Sequence, residues 1–484
     1  MAKRNGGIIG PSNVPTGQYG GVAPGVWRLR DAFNYIKAGL WPAIGNYPVG
    51  NSLRFNSGSS DSLKRTPSSS GTTTTFTMSF WYKTTVVNTE DNYLYEGYSS
   101  NANRSFIRVS SNQLIVNFVS NADNTTAQVF RDPSAWYHIL VAFDSTQATS
   151  TNRLKIYING SLATLATANY PTQNVTTYIN ANVIQRIMSS NYNGGIYSPA
   201  NGYLAEYYMI DGQQLTPSSF GETDTDTGIW KPKAYTGTYG TNGFYLKFAN
   251  SASLGTDSSG NGNTFTVDNL TSVDQSTDTP TNNFATWNPL PQWGSGIVTP
   301  TLSEGNLQQS VGGASSWATQ ISTIGVDTGK WYGEFKCSAV GGSNYATLGV
   351  TSFTGGGSGS AQSTFSGVWY NANGEKWIDG SNTAYGATYT TGDIIGIALD
   401  KTNNTVIFYK NGSSQGSISL PSSITSSTVF IGTSIIFSTT IQGNFGSPFY
   451  SANSYTDGAG YGNFSYAVPS GYYALCTANL NTYG

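Results

Sequence analysis

Apolar and polar positions alternate with a period of two along most of the chain, a pattern that predicts strands rather than helices. In TTTTFTMSFWYKT, Phe76, Met78, Phe80 and Tyr82 alternate with Thr77, Ser79 and Trp81, predicting a strand with one dry and one wet face. SFIRVSS, QLIVNFVS and WYHILVAFDS follow at the close spacing of a sandwich. RLKIYINGSLATL sets Leu154, Ile156 and Ile158 against Lys155 and Tyr157. It reaches Asn159-Gly160, a pair that supplies the positive φ of a tight hairpin turn. GYLAEYYMIDGQQLT predicts a strand turning at Asp211-Gly212, and GFYLKFANS with NTFTVDNL completes a first β unit near residue 270. The polar, proline-containing SVDQSTDTPTNN predicts a linker. From FATWNPL onwards a second unit has the same texture: GKWYGEFKCSAV, YATLGVTSF, GVWYNANGEKWIDG, GDIIGIALDKTNNTVIFYKNGSSQGSISL and TVFIGTSIIF read as strands. Here Val406, Phe408 and Lys410 alternate with Ile407 and Tyr409 ahead of Asn411-Gly412. The units share a strand–Asn-Gly–strand element but no fixed-period repeat, which favours a tandem of sandwiches over a solenoid.

The first 48 residues break this pattern. A Gly/Pro/Asn-rich arm reaches about Pro24, and GVWRLRDAFNYIKAGLWP follows. There Trp27, Leu29, Ala32, Phe33, Ile36 and Leu40 approximate helical spacing, with Gly39 and Pro42 as a stop. So short a helix cannot cover its own apolar face, and it predicts docking on the rest of the chain or on another protein. The expected architecture is all-β: an arm with one short helix (1–48), an antiparallel jelly-roll sandwich (49–271), a linker (272–283) and a second such sandwich (284–484).

Composition sharpens this. Only 10 % of residues are charged, against roughly 25 % in ordinary domains, and the net charge is −2. With no block of like charges, a nucleic-acid partner is not expected. No apolar run approaches the ~18 residues that span a bilayer, so membrane insertion is not expected either. The opening MAKRNGGIIGPSNVPTG carries two basic residues with no apolar stretch behind them, and no signal peptide is expected. Cys337 and Cys476 are the two cysteines, which excludes a disulfide framework and leaves their pairing open. Trp331, Phe335 and Cys337 share one strand face, where the thiol reads as buried.

The residues also carry a resemblance. WYHILVAFDSTQATSTNRLKIYINGS, with NGYLAEYYMIDGQQLTPSSFGE, resembles the laminin-G/concanavalin A-like lectin fold, in the version found in virion proteins of tailed bacteriophages, marine and cyanobacterial ones included. GKWYGEFK, TTGDIIGIALDKTNNTVIFYKNGSSQG and VPSGYYALCTANL are similar to the SPRY domain, and GGIIGPSNVPTG with GVWRLRDAFNYIKAGLWP resembles the N-terminal segment of many such phage proteins. The resemblance implies a virion component, assembled in the host cytoplasm. It would be held to other virion proteins through residues 1–48, with Trp27, Phe33, Ile36, Leu40 and Trp41 as anchors, and would be a homo-oligomer on the particle. As a tail fibre or spike, or a head decoration or head fibre, it would display lectin-like modules to host-surface glycans. A capsid-stabilising clamp without a ligand and a polysaccharide depolymerase are the alternatives.

Catalysis by a Ser-His-Asp or Cys-His set needs an imidazole, and the single one, His138, lies among apolar strand residues. One His and two distant Cys do not make a usual zinc site, and no phosphate-binding glycine loop occurs. No catalytic residue is therefore expected. For a depolymerase the acids would be Glu222, Asp224 and Asp226, embedded in threonines, or Glu90, Asp91 and Glu96, and a solvated loop is the favoured reading of both sets. Asp257, Ser259, Asn261 and Asp268 approach the spacing of a calcium loop, departing from it at two ligand positions. No cofactor is expected beyond that candidate calcium ion. Sugars stack on Trp and Tyr and take hydrogen bonds from Asn and Asp, which makes Trp369, Tyr370, Asn371, Trp377, Asp379 and Tyr385 one candidate cluster. Tyr95, Tyr98 and Tyr192, with Asn101 and Tyr197 nearby, are the other.

Overall fold

The computed structural model of the 484-residue chain describes residues 47–484 apart from 88–89, 120–121, 226, 291–297, 314, 343–344 and 353–359. The expected arm helix, with Trp27, Phe33, Ile36, Leu40 and Trp41, lies outside the described residues. What is described is mostly β: two face-to-face pairs of large sheets and a two-stranded sheet of Gly221–Thr223 with Trp230–Pro232.

In the first pair, a back sheet orders Ser161–Leu162, Leu154–Ile158, Tyr137–Asp144, Thr75–Lys83, Gly202–Asp211, Ser52–Phe55 and Gln275–Ser276, and Phe244–Leu246 also pairs with Gly202–Asp211. A front sheet orders Leu165–Ala168, Asn124–Val129, Gln113–Asn117, Asn103–Ser110, Asn92–Ser100, Ile184–Ile187, Ser62–Arg65 and Thr266–Asp268. Between them Phe76, Met78, Phe80 and Tyr82 are fully buried, and Phe80 stacks on Tyr207 at 4.6 Å. Each such side chain contributes roughly 1.5–3 kcal/mol through burial. The wet face expected for the same strand is not wet, since Thr77, Ser79 and Trp81 are also buried. A third layer covers part of it: Leu140, Ala142, Tyr208, Ile210 and Tyr245 of the back sheet pack with Phe220, Tyr235 and Tyr239.

The second pair holds Thr301–Ser303, Gln308–Ser310, Thr440–Asn444, Lys330–Ala339, Ile394–Asp400, Thr405–Lys410 and Ser413–Ser419 in one sheet, with Tyr473–Ala474 parallel to Lys330–Ala339. It faces Ala318–Ile321, Phe430–Ile435, Ala346–Thr351, Gly367–Asn371, Glu375–Ile378 and Ser381–Ala384. Trp331, Phe335 and Cys337 lie in its core. Cys476 is buried in a separate cluster with Phe284, Tyr332 and Phe464, and both thiols are free. The chain closes on a helix, Thr477–Tyr483, which the period-2 reading did not anticipate. Buried Asn479 holds it by donating to Asp457 Oδ2 at 2.7 Å and to the Ala474 carbonyl at 2.9 Å. Among the described residues no helix is long and apolar enough to cross a membrane.

Residues 272–283 are packed as well as connecting. Asp274, Ser276, Asp278 and Thr279 are buried, and Lys83 Nζ donates to Asp278 Oδ2 at 2.8 Å and to Asn283 Oδ1 at 2.7 Å. Further bonds cross directly between the sheet pairs: Tyr203 Oη to the Gly305 carbonyl (2.9 Å) and Asn306 Nδ2 to the Thr85 carbonyl (2.8 Å).

Candidate functional site

The outer face of the front sheet carries a groove of about 760 Å³. Strand alternation builds it. On Asn103–Ser110, Arg104, Phe106 and Arg108 share one face while Ile107 and Val109 enter the core. Register carries that face sideways: Phe106 lies opposite Asn117, Arg108 opposite Ile115, Ile115 opposite Thr125, and Thr125 opposite Thr167. Asn101, Asp123 and Asn169 complete the lining with amide and carboxylate groups. Asn117 Nδ2 donates to Asp123 Oδ1 at 2.6 Å, aligning two of these side chains.

Two guanidinium groups converge at one end. Arg104 and Arg108 lie 5.0 and 5.1 Å from the centroid of the Phe106 ring, in cation–π range. Both donate through Nη1 to Tyr93 Oη, at 3.2 and 3.4 Å. The same Arg104 nitrogen donates to Glu96 Oε1 at 3.1 Å, and that of Arg108 to Asp91 Oδ2 at 2.5 Å. Glu96 is fully buried, its Oε2 accepting from Ser190 Oγ (2.9 Å) and the Asn191 amide (2.5 Å). The Arg104 guanidinium also lies 4.9 Å from the Tyr192 ring.

This assembly draws in part of the cluster of Tyr95, Tyr98 and Tyr192. Tyr98 is half-buried opposite Arg104 and donates to Asn101 Oδ1 at 2.8 Å, and Asn101 donates to Asn193 Oδ1 at 2.7 Å. Tyr192, half-buried, packs 5.2 Å from Tyr197. Tyr95 does not join them. A bulge between Tyr93 and Tyr95 makes two residues of this strand answer one of its neighbour, so Tyr93 faces Arg108 but Tyr95 faces Ile107 in the core. Burial raises the Tyr95 phenol well above its ordinary pKa.

The Trp369–Tyr385 cluster is largely buried. Trp369, Tyr370 and Asn371 belong to a strand covered on both sides and are 0 %, 0 % and 3 % exposed, out of reach of a ligand from solvent. Trp369 lies flat over two glycines of adjacent strands, where a Cβ on Gly349 would come within 2.6 Å of its ring and one on Gly432 within 3.1 Å. Ala361 and Phe365 pack against the same indole. Trp377 is half-buried in the same cluster. Tyr385, also half-buried, donates to the Gly416 carbonyl, and exposed Asp379 accepts from the Gly367 amide and Ser423 Oγ.

The calcium candidates are taken up by other partners. Asp257 Oδ1 accepts from the Tyr245 and Ser259 amides and Oδ2 from Ser259 Oγ and the Asn263 amide, so local donors take both its oxygens. Asn261 turns its amide nitrogen to the Gly240 and Gly243 carbonyls. Asp268 pairs with Lys64 at 2.6 Å and Arg186 at 2.8 Å, which hold its carboxyl below the usual range against the opposing effect of burial. Glu222 and Asp224 share Lys231, at 3.5 and 3.2 Å, while Asp226 lies outside the described residues. His138 is fully buried: Trp230 Nε1 donates to its Nδ1 at 3.0 Å, leaving Nε2–H for Ser79 Oγ at 2.8 Å. Burial lowers its pKa to about 3.

The residues that sequence reasoning missed are Arg104, Phe106, Arg108, Asn117, Asp123, Thr125, Thr167 and Asn169. Their trace was present in RSFIR, where two arginines flank a phenylalanine at period two.

Comparison with known proteins places this groove in a family context. Residues 57–218 match Laminin_G_3, the concanavalin A-like lectin/glucanases superfamily, and residues 324–448 match the SPRY domain. The chain thus carries a lectin-like domain, which contains the groove, and a SPRY domain. Among solved structures it is similar to the SPRY domain of human HERC1, at 18 % identity and TM-score 0.25, over 28 % of this chain and 87 % of that one. A human SPRY domain matches at 15 % identity and TM-score 0.24, over 30 % and 92 %. The PSpry domain of TRIM65 matches at 13 % identity and TM-score 0.26, over 33 % and 89 %. No curated protein matches the sequence.

Proposed function

We propose that this is a non-enzymatic glycan-binding protein of a virion, with the front-sheet groove as its sugar site. The groove carries the reading: hydroxyl, amide, carboxylate and guanidinium groups from neighbouring strands line one depression beside an aromatic ring. Such a set matches a polyhydroxylated ligand with C–H faces to stack and hydroxyls to bond. A concanavalin A-like match over the same residues supports it. The virion setting rests on the resemblance of the N-terminal segment to phage structural proteins. There residues 1–48 anchor the chain to other virion proteins, on tail or head, and repeated copies turn weak single sites into avidity.

The test is binding of the full chain to a panel of bacterial envelope polysaccharides, with Thr167→Trp as the blocking variant. Thr167 is exposed on the strand Leu165–Ala168 and lines the groove, so the indole fills the site without disturbing the core. Binding should weaken at least tenfold with an unchanged melting temperature, and equal binding by both proteins would overturn the assignment. Gold-labelled antibody against residues 49–484 on intact particles tests the setting, and particles without label would remove it.

A further inference from the structure

We infer that the groove selects a glycan bearing an anionic substituent, a carboxylate or sulfate, held by Arg104 and Arg108; this rests on the glycan reading above. Both guanidiniums donate through Nη1 to one phenol oxygen, at 3.2 and 3.4 Å, so the two nitrogens lie within about 6.6 Å of each other. Two like charges this close repel, and the strand carries them side by side around Phe106. The facing acids offset them unevenly. Glu96 lies beneath the surface with two other donors on it, Ser190 Oγ and the Asn191 amide, Asp91 sits at the margin on Arg108, and Asp123 is engaged by Asn117.

Among the described residues, each arginine side chain donates through Nη1 alone. Nε of Arg108 is buried with no partner, and Nη2 of both has none among the described residues. A guanidinium presents its N–H groups as a planar fork that fits oxyanions better than hydroxyls, and both forks are held against the Phe106 and Tyr93 rings, 5.0–5.8 Å from their centroids. Glu96 and Asp91 pair with the two guanidiniums from beneath and from the margin, so a carboxylate or sulfate would be held through their remaining N–H groups, as a neutral hydroxyl is not. The side chains are about one-fifth exposed, open enough to be reached from the groove and shielded enough to resist full screening.

The experiment measures the full chain against a uronate-containing polysaccharide, its carboxyl-reduced counterpart, a sulfated polysaccharide and its desulfated form, at 50 and 500 mM NaCl. At least tenfold weaker binding after carboxyl reduction or desulfation is expected, with weakening at high salt. Arg108→Gln should reproduce that loss on the charged polymer alone. Because Arg108 Nε is already unpartnered, the variant should fold, and an unchanged melting temperature checks it. Lys233→Gln, which removes the same charge from an exposed site elsewhere, should bind as the parent does. Loss on carboxyl reduction assigns the ligand to a uronate-like unit, and loss on desulfation assigns it to a sulfate ester. Equal binding of charged and neutral polymers overturns the selectivity and leaves the glycan reading standing. Binding to none of the four overturns both.

Discussion

His138 shows how far one side chain's role follows from its surroundings. A strand position among apolar neighbours makes a buried, hydrogen-bonded imidazole the expected state, and Trp230 and Ser79 supply the two bonds from elements the sequence does not connect to it. In the unfolded chain the group titrates near 6.5, and burial lowers that to about 3 in the fold. The unfolded state therefore takes up the proton first. Stability contributed by the neutral ring is whole above pH 6.5 and is lost as pH falls toward 3, by about 1.4 kcal/mol per unit. Since this is the only histidine, its nitrogen resonances are unambiguous: they should report the Nε2–H form and stay fixed from pH 8 to 4.5. A midpoint near 6.5 would refute the burial argument. Relative to His138→Gln, the parent protein should lose stability by about that slope on acidification. Tyr95 and Tyr98 mark the limit of such reading. Their odd spacing puts them on opposite faces by the pleat alone, but it is the bulge between Tyr93 and Tyr95, which no residue type in DNYLYEGYSS announces, that turns Tyr95 into the core while Tyr93 stays on the groove face.

At the level of elements, the legible features were those with local causes. Asn159-Gly160 and Asn411-Gly412 turn with φ of 47° and 79°, and 48° and 80°, because this pair tolerates the left-handed region that a two-residue hairpin demands. Phe76 to Tyr82 alternated into the core for an equally local reason, the pleat. What lay on the opposite face depended on a distant segment, and so Thr77, Ser79 and Trp81 read as wet. The same non-locality buried Trp369: aromatic residues beside a turn looked available until two glycines of neighbouring strands made room for the indole. Gly160 joins the local and the distant. Its φ excludes most side chains, and a Cβ there would stand 2.5 Å from Trp230, which holds His138. Gly392 has a comparable φ of 95° with nothing within 4 Å. Gly392→Ala should therefore cost about 1 kcal/mol from backbone strain alone, and Gly160→Ala about 2–4 kcal/mol as Trp230 is displaced. Equal melting temperatures for the two variants would show that Trp230 yields freely.

For the whole molecule the question is whether two sandwiches behave as two domains or as one body. A polar, proline-containing stretch between them predicted a tether, but residues 272–283 bond to both sides. Asp278 is 1 % exposed and holds Lys83 Nζ and Trp136 Nε1, both from the first sandwich. A few residues on, Asn282 Oδ1 accepts from the Ala478 amide and the Asn283 amide donates to Thr477 Oγ1, at the start of the C-terminal helix. Tyr203 adds a direct bond to the Gly305 carbonyl, where a Cβ would stand 2.0 Å from the phenol oxygen, so even glycine placement fits the junction. Removing one member of a buried ion pair leaves the other uncompensated, which costs roughly 3–5 kcal/mol. That energy is concentrated at the junction and hardly touches either core. Calorimetry should show one endotherm for the parent chain. In Lys83→Ala the sandwich containing Asp278's partners should melt first, giving two transitions, while Lys83→Ala with Asp278→Asn should recover part of the coupling by removing the stranded carboxylate. A single, unshifted endotherm in Lys83→Ala would mean that apolar contact alone binds the sandwiches together. Two endotherms in the parent would mean that the polar network joins them in space without joining their unfolding.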